Sequence, residues 1–234
     1  MRERPIMFKP EMVRAILSGA KTQTRRPITP QPSECHGGHF AWPSPRGRDL
    51  GSGPAGTLTR SEIAERCPYG VPGDRLWVKE TWGIFTTDTG SVSVGYRARL
   101  PDGKTIDDTD GGLDVIRGLD AKTWEWATKR IDPHKWRSAM FMPRWASRVT
   151  LEIVSVRVER LQDIVGNTMD IIAEGISWDA DAPVVGPCDG DCGDLIEQFG
   201  SKWDTLYAKT PNAWAANPWV WVVEFRRVDG GAKG

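Results

Sequence analysis

The stretch Ser147-Arg-Val-Thr-Leu-Glu-Ile-Val-Ser-Val-Arg-Val-Glu-Arg160 has the alternation of a long β-strand and decides the fold class. Two sets of apolar residues alternate along it, and their phase slips by one residue at 153–154: Val149, Leu151 and Ile153, then Val154, Val156 and Val158. Because strand side chains point alternately to two faces, such a slip indicates a bulge or a sharp bend. Small barrels use bends of this kind at their corners, so the stretch favours a barrel over a flat parallel sheet.

Periodicity predicts few other regular elements, and they are separated by long loops. Strands are expected at 74–82 and 219–228, and helices at 10–18, 162–174 and 194–208. The intervening segments 27–72 and 83–138 are rich in Gly, Pro, Ser or Asp and are interpreted as insertions. We therefore predict an α+β fold, a small mixed β-barrel with packed helices, formed by one domain over residues 1–234.

Composition excludes several broad classes. The 31 basic and 31 acidic residues cancel, which argues against a protein that coats nucleic acid with positive charge. There is no apolar run long enough for a membrane span and no apolar core of a signal peptide near the N-terminus, so a cytoplasmic protein without membrane contact is expected. The 12 tryptophans are an excess that fits either a tryptophan-rich core or an aromatic lining for flat ligands.

The segment Gly19-Ala-Lys-Thr-Gln-Thr-Arg-Arg26 concentrates positive charge in this neutral chain. Residues 1–30 contain seven basic and two acidic side chains, a local charge of +5. An ordinary solvated patch and a surface that contacts phosphate are both consistent with it, and Arg25 and Arg26 are the candidate contacts.

A carboxylate stands on the apolar face of the predicted strand 74–82. Glu80 shares that face with Leu76, Val78 and Trp82 because strand residues repeat every second position. A carboxylate among apolar residues needs a partner or serves a site. Glu80 and Trp82 are therefore candidate substrate-binding residues.

Four stretches in this order resemble the ASCH domain family, which has a PUA-like barrel fold. They are Gly19-x-Lys-Thr-x-Thr-x-Arg26, Pro72-Gly-Asp-Arg-Leu-Trp-Val78, Leu161-Gln-Asp-Ile running to Ala173-Glu-Gly175, and Trp219-Val-Trp-Val-Val-Glu-Phe225. The combination is similar to ASCH-like proteins encoded by tailed bacteriophages. The resemblance covers about half of the residues and neither insertion.

The resemblance implies binding of RNA or modified bases. We expect RNA as a partner rather than DNA, and a monomer without a cofactor. One bacterial branch of the family hydrolyses the acetamide of N4-acetylcytidine with a Lys, a Thr and a Glu, which match Lys21, Thr24 and Glu174 here. By implication Thr24 is the nucleophile, Lys21 the base, and Glu174 the group that passes a proton to the leaving amine. In a straight strand, residues 21 and 24 point to opposite faces, so this triad requires a turn between them.

Two other classes of function stay open beside an amidohydrolase. A reader of RNA or modified DNA could use the same cleft without catalysis, and a phage assembly or host-interaction protein could reuse the fold. The Cys35-x3-His39 and Cys188-x3-Cys192 pairs permit a structural zinc, although free thiols and no metal are the expectation.

Overall fold

The computed structural model describes residues 1–42, 57–86, 92–98, 135–176 and 193–228, together with residues 125 and 129. The chain divides into two compact units. Unit 1 comprises Met1–Arg2, Gly19–Asp74 and Glu152–Arg226, and unit 2 comprises Glu3–Ser18, Arg75–Leu151 and Arg227–Gly234.

The regular elements alternate between strands and short helices. The strands are β1 (Glu3–Met7), β2 (Gln23–Pro27), β3 (Ser33–Glu34), β4 (Phe40–Ala41), β5 (Arg75–Lys79), β6 (Trp82–Thr86), β7 (Val92–Tyr96), β8 (Thr150–Arg160) and β9 (Trp219–Val228). The α-helices are α1 (Pro10–Leu17), α2 (Arg60–Ala64), α3 (Thr168–Ala173) and α4 (Gly193–Tyr207).

Five strands form one mixed sheet in the order β1-β5-β8-β9-β2. β1 pairs parallel with β5, and β2 pairs antiparallel with β9. The α+β class is confirmed, but the closed barrel is not formed by the described residues. β1 and β2 lie at the two edges of this sheet, and no strand pairing between described residues joins them.

In unit 2, two predicted features differ from the structure. The predicted strand 74–82 is two strands, since β5 ends at Lys79 and β6 begins at Trp82. β6 pairs with β7 in a hairpin that begins one residue before the predicted insertion 83–138, and residues 3–7, which no predicted range covers, form β1. Helix α1 is confirmed within one residue and begins with a proline at its first position, where the missing N–H costs no hydrogen bond.

In unit 1, the predicted helix 162–174 is two segments. A 3-10 turn over Leu161–Gly166 is followed by α3, whose first turn is capped by the Asn167 side chain. The N–H of Gly175 then bonds to the carbonyl of Ile172, and Gly175 has a φ of 79°, which a side chain would strain. This turn places Glu174 immediately beyond the helix.

β9 is buried on both faces, and each face packs against different parts of unit 1. On one face, Val220 and Val222 join a core with apolar side chains from α3 and α4. On the other face, the Trp219 ring lies edge-on to Phe40 and the Trp221 ring edge-on to Trp42. Most described tryptophans are therefore core residues, which supports the first interpretation of their excess.

Burial along β8 agrees with the predicted change of phase only in part. Leu151, Ile153 and Val158 are buried, but Val154, the first residue of the second apolar set, is 52% exposed. Part of the insertion 27–72 is regular, with the β3–β4 hairpin and α2, while most of the insertion 83–138 lies outside the described residues. No helix among the described residues is long and apolar enough to cross a membrane.

Candidate functional site

Lys21 and Glu174 form a buried ion pair in unit 1. The Lys21 Nζ atom lies 2.8 Å from Glu174 Oε2 and also donates to the Glu174 carbonyl oxygen at 2.8 Å. Their side chains are 1% and 5% exposed. An isolated antiparallel bridge joins the two residues, and Thr22 N donates to the Ala173 carbonyl. The backbone as well as the side chains therefore holds this pair together.

Burial lowers the pKa of Lys21 below its ordinary value of 10.5. Desolvation of the ammonium is the largest cause, and the Glu174 carboxylate opposes it. The positive charges of Arg26 and Arg25 lower this pKa further. A lysine in such surroundings gives up its proton more readily than a surface lysine, which is the property a base requires.

Arg25 connects Glu174 to a larger set of carboxylates. Its Nη1 atom donates to Glu174 Oε1 at 3.1 Å, and its Nη2 atom donates to Asp170 at 2.7 Å and to Glu159 at 3.3 Å. The Arg25 side chain is completely buried. It therefore neutralises one buried carboxylate, Glu174, and two partly exposed ones instead of presenting a guanidinium to phosphate.

Arg157 is a second guanidinium in the same network. It donates to Asp170 at 2.7 Å, to Glu159 at 2.5 Å, to Glu224 and to the Gln23 amide oxygen. Partial burial lowers the pKa of Arg157, but its three carboxylate partners outweigh burial and leave the pKa raised. Asp170 is thus shared by two arginines and ties α3 to both β2 and β8.

The side chain of Thr24 lies on the other face of β2. Gln23 and Arg25 both bond to Asp170, and Thr24 stands between them opposite Val223. Because alternate strand residues point to opposite faces, Thr24 is directed away from the face that carries this network. Among the described residues, the Thr24 hydroxyl makes no hydrogen bond to Lys21 or Glu174.

By the same alternation, Arg26 lies on the face of β2 that carries Thr24, and it is half-buried. It is near enough to lower the pKa of Lys21 through its charge. The cationic segment 21–26 is therefore mostly interior, and the solvated-patch interpretation does not fit Lys21 or Arg25.

Glu80 and Trp82 belong to unit 2, where each has its own partners. Arg148 holds Glu80 with two bonds, Nε to Oε1 at 3.0 Å and Nη2 to Oε2 at 3.1 Å. The Arg148 guanidinium carbon lies 4.1 Å from the Tyr96 ring centre, so an aromatic face covers the cation. Glu80 and Trp82 are each 1% exposed, and the Trp82 ring lies edge-on to Trp145. The inward orientation predicted for Glu80 is confirmed.

Sequence reasoning missed Asp170, Arg157 and Arg148. A signal for Arg157 exists, because Ser155, Arg157 and Glu159 repeat at every second position of β8 as Gln23 and Arg25 do in β2. Polar residues at a strand period indicate a charged stripe on one face of a sheet. Nothing local indicates that Asp170 meets this stripe.

Two of the four cysteines lie among the described residues. Cys35 is exposed and Cys67 buried, and neither forms a disulfide. Cys188 and Cys192 lie outside the described residues. Within the part of the chain that the structure describes, no cluster of three metal-ligating side chains occurs.

Comparison with protein-family models, curated proteins and solved structures finds no match for this chain. The likeness to ASCH domains therefore rests on the four sequence stretches and their order.

Proposed function

We propose that this chain is an ASCH-type protein with a PUA-like fold that recognises an acylated nucleobase or nucleoside and hydrolyses its amide. The observation that carries the proposal is the Lys21–Glu174 pair. Two residues 153 positions apart meet in a buried contact of 2.8 Å, and burial lowers the pKa of the lysine. Buried pairs with a perturbed pKa are frequent in active sites.

Hydrolysis at this pair needs Lys21 in its neutral form. Neutral Lys21 takes a proton from the attacking group, and the carbonyl carbon gains the new C–O bond. Lys21 hands this proton to Glu174, 2.8 Å away, and the C–N bond breaks as Glu174 passes it on to the departing amine, so both side chains return to their starting state. The products are a carboxylic acid and the free base. Arg25 holds Glu174 in position through a bond of 3.1 Å from Nη1 to Oε1.

The nucleophile that fits this arrangement is water. Thr24 points to the opposite face of β2, so its attack on a carbonyl at the Lys21–Glu174 pair would require the strand to change register or twist. We therefore assign Thr24 a packing role in this centre and propose a water activated by Lys21.

One experiment tests both the proposed hydrolysis and the assignment of water as the nucleophile. The purified chain is incubated with a panel of acylated nucleosides that includes N4-acetylcytidine, and the deacylated products are measured by mass spectrometry. Lys21→Met and Glu174→Gln should lower turnover by about 10²–10⁴-fold, the usual contribution of acid–base groups, while Thr24→Val and the exposed control Lys202→Met should retain it. Loss of turnover in Thr24→Val would identify threonine as the nucleophile, and a wild-type chain inactive on every substrate would refute the hydrolase.

The second candidate is a non-catalytic reader of a modified base in RNA or DNA. Lys21 is bonded to Glu174, and Arg25 to Glu174 and Asp170, so the charges of this centre are paired without any catalytic step, as a reader requires. A reader would bind a panel nucleoside with an affinity measurable by calorimetry and would release no acid.

A further inference from the structure

Asp170 lies one helical turn before Glu174, and one arginine bonds both carboxylates. Asp170 is in the first turn of α3, and Glu174 follows the helix at the i+4 position, where side chains share one face. Arg25 donates from Nη2 to Asp170 Oδ2 at 2.7 Å and from Nη1 to Glu174 Oε1 at 3.1 Å. Because a guanidinium is planar and rigid, a bond that fixes one of these nitrogens also fixes the direction of the other.

The backbone of Asp170 holds the same arrangement. Its carbonyl oxygen accepts from the Gln23 side chain at 2.8 Å and from the Glu174 N–H at 3.2 Å. Its own N–H donates to the side chain of Asn167, the cap of α3. The carboxylate is 19% exposed, and its second cation is Arg157 at 2.7 Å. Asp170 therefore connects the turn that carries Glu174 with β2.

The two oxygens of Glu174 have different partners. Arg25 donates to Oε1, and Lys21 donates to Oε2 at 2.8 Å. Without Asp170, the Arg25 guanidinium would be free to turn, and Glu174 would lose the bond that fixes the orientation of its carboxylate. We propose that Asp170 is a positioning residue, which holds Arg25 and thereby keeps the Glu174 carboxylate in contact with Lys21. Its effect on turnover rests on the hydrolysis proposed for this pair.

Asp170 also balances the charge around the Lys21 ammonium. The charged groups that face Lys21 are Glu174 at the end of α3, and Arg25 and Arg26 of β2. Behind Arg25 the network continues with Arg157 and Glu159 of β8 and Glu224 of β9. The arginines of β2 lower the pKa of Lys21, and Glu174 raises it. Loss of the Asp170 charge leaves Arg25 less neutralised and loosens Glu174, so the pKa of Lys21 should fall further. Loss of Arg157 removes a positive charge from the network and should raise this pKa.

A merely structural role of Asp170 predicts the opposite sign. Removal of a carboxylate that only stabilises the fold would admit water to the Lys21–Glu174 pair. The pKa of Lys21 would then rise toward its ordinary value of 10.5, because burial is the largest cause that lowers it. The direction of the change in Asp170→Asn therefore separates a positioning residue from a structural one.

The first test is a pH titration of the full chain, labelled on lysine and followed by NMR, in which the Lys21 signal is the one missing from Lys21→Met. Asp170→Asn should lower the pKa of Lys21 relative to the wild type, and Arg157→Gln should raise it. Asn167→Ala is the matched control, since it removes the cap of α3 but keeps the Asp170 carboxylate. It should leave the pKa of Lys21 unchanged.

The second test is hydrolysis of an acylated nucleoside by the same variants. Asp170→Asn should lower kcat by about 10²-fold, the loss expected when a reacting group is displaced by about 1 Å, and should leave KM unchanged. Because Lys21 must be neutral to act, the rise of kcat with pH should move to lower pH in this variant. Asn167→Ala should keep the kcat and the pH profile of the wild type.

The inference is overturned if the pKa of Lys21 rises or stays constant in Asp170→Asn, or if Asn167→Ala changes it equally. If Asp170→Asn does not fold, Arg157→Gln decides, and a pKa of Lys21 that falls or stays constant in that variant overturns the inference. A wild-type chain that hydrolyses no acylated nucleoside refutes only the proposed hydrolysis, because the titration needs no substrate. An active hydrolase whose kcat is unaffected by Asp170→Asn refutes only the positioning role.

Discussion

Substitution of Glu174 by glutamine should destabilise the chain more than substitution of its partner Lys21 by methionine. Among the described residues, Glu174 is the one carboxylate bonded to the Lys21 ammonium. Glu174 itself has a second cation, since Arg25 donates to it at 3.1 Å. Glu174→Gln thus leaves a buried ammonium that keeps the Glu174 carbonyl as a hydrogen-bond acceptor but has lost the charge that neutralised it. Lys21→Met leaves a carboxylate that Arg25 still neutralises.

The magnitudes follow from the burial of these groups. The Lys21 side chain is 1% exposed, so Glu174→Gln should cost about 3–5 kcal/mol, the range for breaking a buried pair. Lys21→Met should cost about 1.5–3 kcal/mol, the range for a lost hydrogen bond to a charged group. For a chain of 234 residues, the larger cost lowers the melting temperature by about 6–20 °C.

The assay is urea unfolding followed by circular dichroism on both single variants and the double variant. Because the two side chains are in contact, the double variant should cost less than the sum of the single variants by about 0.5–3 kcal/mol. Glu152→Gln is the matched control. Its pair with Arg226 is formed on the surface, where the arginine is 69% exposed, and its loss should cost about 0–1 kcal/mol.

The reasoning is refuted if Glu174→Gln costs no more than Glu152→Gln, or if Lys21→Met is the more damaging substitution. Additivity of the two single variants within about 0.5 kcal/mol would also show that the pair is not energetically coupled.

Because the pKa of Lys21 is lowered in the folded chain, the unfolded chain binds more protons than the folded chain just below pH 10.5. The stability of the wild type relative to Lys21→Met should therefore rise with pH in that window. Urea unfolding at a series of pH values measures the sign of this change. Arg148→Lys in unit 2 should cost about 1–3 kcal/mol in a thermal melt, because lysine cannot make both bonds to Glu80 or stack on Tyr96, and an unchanged melting temperature would contradict this. Asn217 has a φ of 45°, and its side chain accepts a bond from Gln162 N. Both Asn217→Ala and Asn217→Gly lose this bond, but only alanine is strained at this φ, so the alanine variant should cost about 1–2 kcal/mol through strain and the glycine variant should recover part of it. Equal melting temperatures for the two variants would rule out strain as the cause.

Helices and strands that have a regular hydrophobic period along their own residues were predictable from the sequence. α1, α4 and β9 match their predicted ranges within one residue, because apolar side chains at a helical or strand period determine which face an element buries. The inward orientation of Glu80 followed from the same rule. The breaks at Asn167 and after Lys79 were not predictable in this way, because a side-chain cap and a change of pairing partner interrupt elements without changing their hydrophobic period.

The sequence alone determined the α+β class, the concentration of charge around residues 21–26, and a likeness that selected Lys21, Thr24 and Glu174. Only the tertiary structure decided that the sheet of described strands stays open, that Lys21 meets Glu174, and that Thr24 points to the other face. The physical reason is that these features depend on contacts between residues up to 153 positions apart. The packing of strands and helices determines which distant residues are buried and paired, and local residue patterns do not indicate these contacts.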